Sequence, residues 1–289
     1  MKPVYIVSWL FALAISFVSC DDWLDKTPKD RLYPDVYFKT EDELRLFTNQ
    51  FYNNLVPSAV DIYSESSDLI VKSDLMLEMS GQRIIPDEGN GWNFTALRDI
   101  NFYLQYSHNC TEVNARNRYD GVARFFRAYF YFEKVKRYGD IPWYDKALDS
   151  DDPELYKARD SREFVMQKML EDLDFAIANL PKTKNAYVLT RWTALALKSR
   201  VCLFEGTFRK YHGLEDCENL NACVSASETF MNESGYTLYK SGSTPYRDLF
   251  ASINLQADEV ISGVTMKLLF LCFIMCRIMR TPPQWDVRE

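Results

Sequence analysis

Histidine is scarce in this chain: His108 and His212 are the only two among 289 residues. That leaves little material for imidazole catalysis or zinc ligation. Glycine (10) and proline (11) are also few. A many-turned β protein spends such residues at every hairpin, so their shortage favours helices. Positive charge falls short too, with 34 Lys and Arg against 41 Asp and Glu and a formal net charge of −7. A chain of that sign is poorly equipped to track a phosphate backbone, which argues against a nucleic-acid partner. No Gly-x-Ser-x-Gly, zincin or phosphate-loop pattern occurs. No cysteine pair has the CxxC spacing of a zinc site. His212, Cys217 and Cys223 can be drawn as a metal set, but a fourth ligand is missing. Neither an enzyme nor a cofactor or metal is therefore expected. A two-carboxylate glycosidase is the enzyme alternative, but 41 acids make some close pair inevitable and so uninformative.

The amino terminus reads as a targeting segment. In "MKPVYIVSWLFALAISFVSC", Lys2 precedes an apolar stretch from Val4 to Val18, which suits a signal-peptide core and is short for a bilayer span. Ser19-Cys20 closes the stretch and Asp21-Asp22 follow. A small residue before a lone cysteine at this place resembles a bacterial lipobox, with Phe17 where Leu is usual. Residues 1–19 are thus expected to be a lipoprotein signal peptide and Cys20 the lipidated first residue of the mature chain. An uncleaved anchor or an ordinary secretory signal is the alternative. Residues 20–39 read as an extended tether. Six further cysteines remain, and export permits disulfides. Cys217 and Cys223 are close enough to bridge within a loop.

Residues 40–262 read as one helical domain. "TEDE" from Thr40 is a capping box, and Leu44, Phe47, Phe51 and Leu55 follow at helical spacing until Pro57. A short helix is expected around 68–79, a loop at 86–91, and a further helix from Trp92 to Tyr106. The stretch "RFFRAYFYFEKVKRYGDIPWY" (124–144) holds nine aromatics in twenty-one positions. It falls on a helix expected from Arg118 to Tyr138, stopped by Gly139. At about 100° per residue, Val122, Phe125, Ala128, Tyr129, Phe132 and Val135 share one face. Phe126 and Phe130 widen that face, and Arg124, Arg127, Tyr131 and Lys134 take what is left. The apolar arc spans on the order of 220°, more than one core contact requires. Such a helix is contacted on two sides, as in a stacked array of helical hairpins. The aromatics are accordingly read as core rather than as a stacking platform. Lys136 falls inside the arc, with no reason for it in the sequence. Two more helices follow, one with Met166, Leu170, Leu173, Ile177 and Leu180, the other from Thr190 to Gly206 with Ala194, Leu197, Val201 and Phe204 on one face. Helix, short break, helix is the tetratricopeptide-like scheme, although the 34-residue signature is absent.

The blocks "LDKTPKDRLYPDVYFKTEDELRLFTNQFYNNL" (24–55), "WNFTALRDINFYL" (92–104), "GVARFFRAYFYFEKVKRYGDIPWY" (121–144) and "TRWTALALKSRVCLFEG" (190–206) together resemble the SusD/RagB family of surface nutrient-binding lipoproteins. The resemblance runs from Cys20 to about Ile261. It implies an all-α, tetratricopeptide-like fold and capture of glycans or other nutrients at the outer membrane. It also implies a SusC-type TonB-dependent transporter as partner and a membrane attachment through the lipid on Cys20. Family members are usually much longer, so the C-terminal half is expected to be missing. The tail 263–289 departs in character, with eight apolar residues from Leu268 to Met275. It reads either as a buried strand or helix or as the end of a frameshifted or truncated product. A helical-repeat scaffold without ligand, or a defective fragment, is the alternative function.

No ligand residue is fixed by a family motif. Sugar sites use exposed aromatic faces with amides beside them, which makes Trp92 and Asn93 after the "NGWN" turn, and Trp143 and Tyr144 after Pro142, the candidate contacts. Each of these also has a packing alternative. Cys20 gives the direct test of the targeting reading: cells fed a fatty-acid probe should label the wild-type chain and not Cys20→Ser. Equal labelling of both would remove the lipid anchor.

Overall fold

The computed structural model describes residues 36–55, 80–82, 84, 91–214, 217–252, 255–256 and 258–261. The expected signal peptide, Cys20, most of the expected tether, the short helix expected around 68–79 and the tail 263–289 lie outside these residues. The chain divides into two compact units, Met1–Tyr37 and Phe38–Glu289, and the helices described below belong to the second. They are α1 (Glu41–Leu55), α2 (Thr95–Tyr106), α3 (Val113–Tyr138), α4 (Arg162–Asn179), α5 (Arg191–Tyr211), α6 (Glu218–Glu233) and α7 (Pro245–Ala251). Among the described residues there is no strand, only an isolated antiparallel bridge between Ile141 and Asp160. The all-α expectation therefore holds.

The helix starts follow from capping residues visible in the sequence. Thr40 Oγ1 accepts from the Glu43 amide at 3.3 Å, and Glu43 Oε2 accepts in return from the amides of Thr40 and Lys39. Just before this box, Phe38 adopts the left-handed φ of 65°. That backbone costs about 1–3 kcal/mol. Full burial of the ring between Phe47, Phe102 and Tyr103 offsets it. Ser161 caps α4 through the Phe164 amide, and Thr190 with Thr193 forms a reciprocal box on α5. Gly139 ends α3 at φ 71°, as its position predicts.

The helices pair antiparallel into stacked hairpins. On α3 and α4, Gly121 faces Ala176 and Leu180 while Arg127 meets Asp172. On α4 and α5, Arg162 meets Glu205 and Asp174 meets Lys198. On α5 and α6, Gly206 meets Leu220, Ser199 meets Ser227, and Trp192 packs on Phe230. Helices α1 and α2 cover the other side of α3 through Phe51 on Phe126 and Phe94 on Phe130. Helix α3 is thus sandwiched, which is why its aromatics at 125, 126, 130 and 132 are all buried.

Four sequence expectations are corrected. Helix α3 begins at Val113, five residues before the expected start, and α5 runs past Gly206 to Tyr211. Gly206 is not a stop but a contact point: a Cβ there would lie 2.6 Å from Leu220 Cδ2 and 3.2 Å from its backbone nitrogen. The residues around Cys217 and Cys223 are not a loop, because α6 starts at Glu218 and puts Cys223 inside the helix. Both thiols are free. Arg127 and Tyr131, assigned to the polar remainder of α3, are buried, Tyr131 completely. Lys136, the unexplained cation, lies over the Phe132 ring at 4.8 Å with its nitrogen 2.6 Å from Glu133. Its stem packs while its charge is paired.

The deepest polar contact is the fork between Arg127 and Asp172, with Nε to Oδ2 at 2.6 Å and Nη2 to Oδ1 at 2.8 Å. Burial lowers the affinity of Arg127 for its proton. The hydrogen bonds and charge of Asp172 outweigh this and hold its pKa above the ordinary value. Removing one partner of such a pair leaves the other charge buried alone, at a cost of about 3–5 kcal/mol, whereas an apolar pair of similar size is nearly neutral. Asp172→Ala should therefore lose about 3–5 kcal/mol in chemical denaturation, and the double variant Arg127→Met, Asp172→Leu should recover most of it. A single variant with wild-type stability would show that the fork holds nothing together.

Candidate functional site

A cavity of about 500 Å³ opens beside the start of α2. Trp92, Phe94, Leu97, Arg98 and Asn101 contribute from α2 and the turn before it. The segment after α3 contributes Tyr144, Lys146, Leu148, Leu155, Lys157 and Arg159. This segment is positioned from beneath. Asn101, 1% exposed, donates to the carbonyls of Tyr144 (2.8 Å) and Lys146 (3.2 Å). Its own carbonyl accepts from Arg127 Nη1 at 3.2 Å. Tyr131 Oη accepts from the Tyr144 amide at 2.6 Å. Burial, offset in part by this backbone contact, raises the Tyr131 phenol far above the usual tyrosine range, so it stays neutral. The Arg127 fork thus reaches the cavity wall through two further hydrogen bonds.

The lining is aromatic and cationic. Phe94 meets Trp92 and Tyr144 edge to face, at 5.2 and 5.8 Å between centroids. Arg98 donates to the Leu148 carbonyl at 3.2 Å and lies 4.0 Å from Asp149. Lys146 sits 3.0 Å from Glu154 and 3.6 Å from Asp152. The Glu154 hydrogen bond raises it above the usual lysine value. Lys157 donates to the Trp143 carbonyl at 2.6 Å, pairs with Asp160 at 3.1 Å and lies over the Tyr144 ring at 5.1 Å. Burial raises the Tyr144 phenol, and Asp160 and Glu154 add to the effect. Arg159 lies over the Trp92 ring at 5.0 Å. Among the described residues no carboxylate, histidine or cysteine lines this cavity. The described lining offers flat aromatic faces and hydrogen-bond donors.

The four residues singled out in the sequence separate cleanly. Trp92, 40% exposed, and Tyr144, 9% exposed, line the cavity together. Asn93 does not: its carboxamide oxygen accepts from the Thr95 amide at 2.8 Å and caps α2. Trp143 is turned inward, stacked on Tyr131 at 4.2 Å and under the Arg127 guanidinium at 5.2 Å. Its expected exposure in a loop is corrected, because that loop is pulled down by the Asn101 and Tyr131 hydrogen bonds. Asn101, Lys157 and Arg159 went unnoticed. Only the alternating charges of 145–160 hinted at them, and nothing in the chain's order says that this segment faces Trp92.

A larger concavity of about 1340 Å³ lies among α4, α5 and the start of α6. Among the described residues no aromatic side chain lines it. Its central charges are already engaged, Arg209 with Glu163 at 3.6 Å and Glu205 with Arg162 at 2.7 Å. Size alone does not make it the better site. Among the described residues no helix is long and apolar enough to cross a membrane.

Residues 62–191 match a family profile, SusD-like, described as "Starch-binding associating with outer membrane". Two SusD-like proteins of Formosa agariphila are 25% identical over 226 residues and 27% over 218. The alignments cover 71% and 68% of this chain and 43% of each relative. The chain thus spans less than half the length of these relatives. In fold, it superposes on a crystal structure of a SusD-like protein from Bacteroides fragilis with a TM-score of 0.61 at 22% identity, over 78% of this chain and 44% of that one. A SusD homologue from Bacteroides thetaiotaomicron gives a TM-score of 0.58 at 16% identity, over 71% and 43%. Residues 62–191 are thus similar to the SusD-like family, and the described helices share the fold of SusD-like structures.

Proposed function

We propose that this chain captures oligosaccharides at the outer membrane, with the Trp92–Tyr144 cavity as a sugar subsite. The observation that carries the reading is the pairing of two aromatic rings with hydrogen-bond donors in one cavity. Sugars present C–H faces that pack on aromatic rings and hydroxyls that need polar partners. The description of the matched family, starch-binding and associated with the outer membrane, supports the same class. In this reading the protein binds and does not turn over its ligand. A lipid on Cys20 holds it to the membrane, and a SusC-type TonB-dependent transporter receives what it captures.

Titration calorimetry against soluble oligosaccharides tests the subsite. Trp92→Ala should weaken binding by at least about tenfold, or ~1.4 kcal/mol. Because Trp92 is partly exposed, its melting temperature should hardly move. Asn93→Ala should do the reverse, costing about 1 kcal/mol of stability by loss of the cap while leaving affinity intact. Undiminished affinity in Trp92→Ala would place the sugar elsewhere. Co-purification of a TonB-dependent transporter with the lipidated chain tests the partner.

A further inference from the structure

The cations of the cavity are not equivalent. Arg98, Lys146 and Lys157 each have a carboxylate within 4.0 Å. Among the described residues Arg159 has none, and no hydrogen bond ties it down. Its guanidinium instead rests over the indole of Trp92, 5.0 Å from the ring centroid. Phe94 and Tyr138 also meet that indole, in T-shaped contacts at 5.2 and 4.9 Å. Arg159 therefore covers one face of the ring on which a sugar would stack.

This matters for what the cavity accepts. A neutral sugar that stacks on this face must push the guanidinium aside, and gains no charge contact in return. An anionic sugar draws the same guanidinium onto itself, where the planar fork matches a carboxylate or sulfate in two parallel hydrogen bonds. An exposed cation–π contact is weak enough for the arginine to swing between these two positions. Resting on the glycan-subsite reading above, we propose that Arg159 is a specificity residue selecting oligosaccharides that carry carboxylate or sulfate groups. Its unpaired charge and its position over Trp92 are the paired observations behind this. Lys157, 3.1 Å from Asp160 and bonded to the Trp143 carbonyl, stays in place as part of the wall.

The test uses the full chain and three probes: oligogalacturonate for carboxylate, a sulfated galactan oligomer for sulfate, and a neutral gluco-oligosaccharide. The wild type should bind at least one acidic probe more tightly than the neutral one, and added salt should weaken that binding. Arg159→Gln should lower affinity for the acidic probe by about tenfold and flatten its salt dependence. Arg159→Lys should restore the salt dependence but only part of the affinity, since it lacks the fork. With the face of Trp92 uncovered, Arg159→Gln should bind the neutral probe as well as the wild type or better. Which acidic probe responds tells carboxylate from sulfate. Equal binding of neutral and acidic probes, unchanged in Arg159→Gln but lost in Trp92→Ala, would overturn the selectivity and leave the subsite standing. Binding of no probe would overturn both.

Discussion

Everything around the cavity hangs on one buried carboxylate. Asp172 sits on α4, 2% exposed, and holds Arg127 of α3 through both of its oxygens. Arg124 adds a longer contact at 3.7 Å from the same helix. The third arm of Arg127 reaches Asn101 on α2, and Asn101 holds two carbonyls of the segment that follows α3. Four pieces of chain are thereby fixed by a single network of directed hydrogen bonds. Apolar packing alone would let the aromatic helix slide or roll against its neighbours. A bidentate ion pair out of water tolerates no such shift, since any displacement leaves charge unmatched.

The network also explains how one aromatic-rich sequence serves two purposes. The rings of α3 are enclosed because helices cover it on both sides, and neighbouring rings meet edge to face at 5.5 Å. The rings at the cavity come from either side of this packed block. Trp92 leaves it at the start of α2, where Gly91, at φ 81°, turns the chain beside Arg137 and Tyr138. Tyr144 is held at the rim by the same hydrogen bonds that bury Trp143 one residue earlier. Two adjacent aromatics in an extended segment point to opposite sides, so one becomes wall and the other core.

Much of the helical frame was legible in advance. The capping residues Thr40, Ser161 and Thr190 and the stop at Gly139 act through bonds to their immediate neighbours, and local chemistry reports them faithfully. The width of the apolar arc on α3 correctly implied contact on two sides. Helix α6 was not legible, because only Ala226 and Phe230 of its sixteen residues are buried and so weak a stripe leaves little period to read. Gly206 was misread for a related reason. A glycine near the end of an apolar run means a stop in isolation and a close helix contact when Leu220 lies against it.

Taken by itself, the sequence determined the class of fold, several helix starts and the likeness to SusD-like proteins, since these depend on composition, on period and on residues three or four apart. It also supplied Trp92 and Tyr144. Only the tertiary structure decided that these two share a cavity while Asn93 and Trp143 do not. It alone brought Arg159 over Trp92, sixty-seven positions away in the chain, with no acid beside that charge among the described residues. The reason is physical: burial, pairing of charge and the covering of a ring are set by distances between segments remote in the chain. Those distances exist only once α2, α3 and α4 have closed around Arg127 and Asp172.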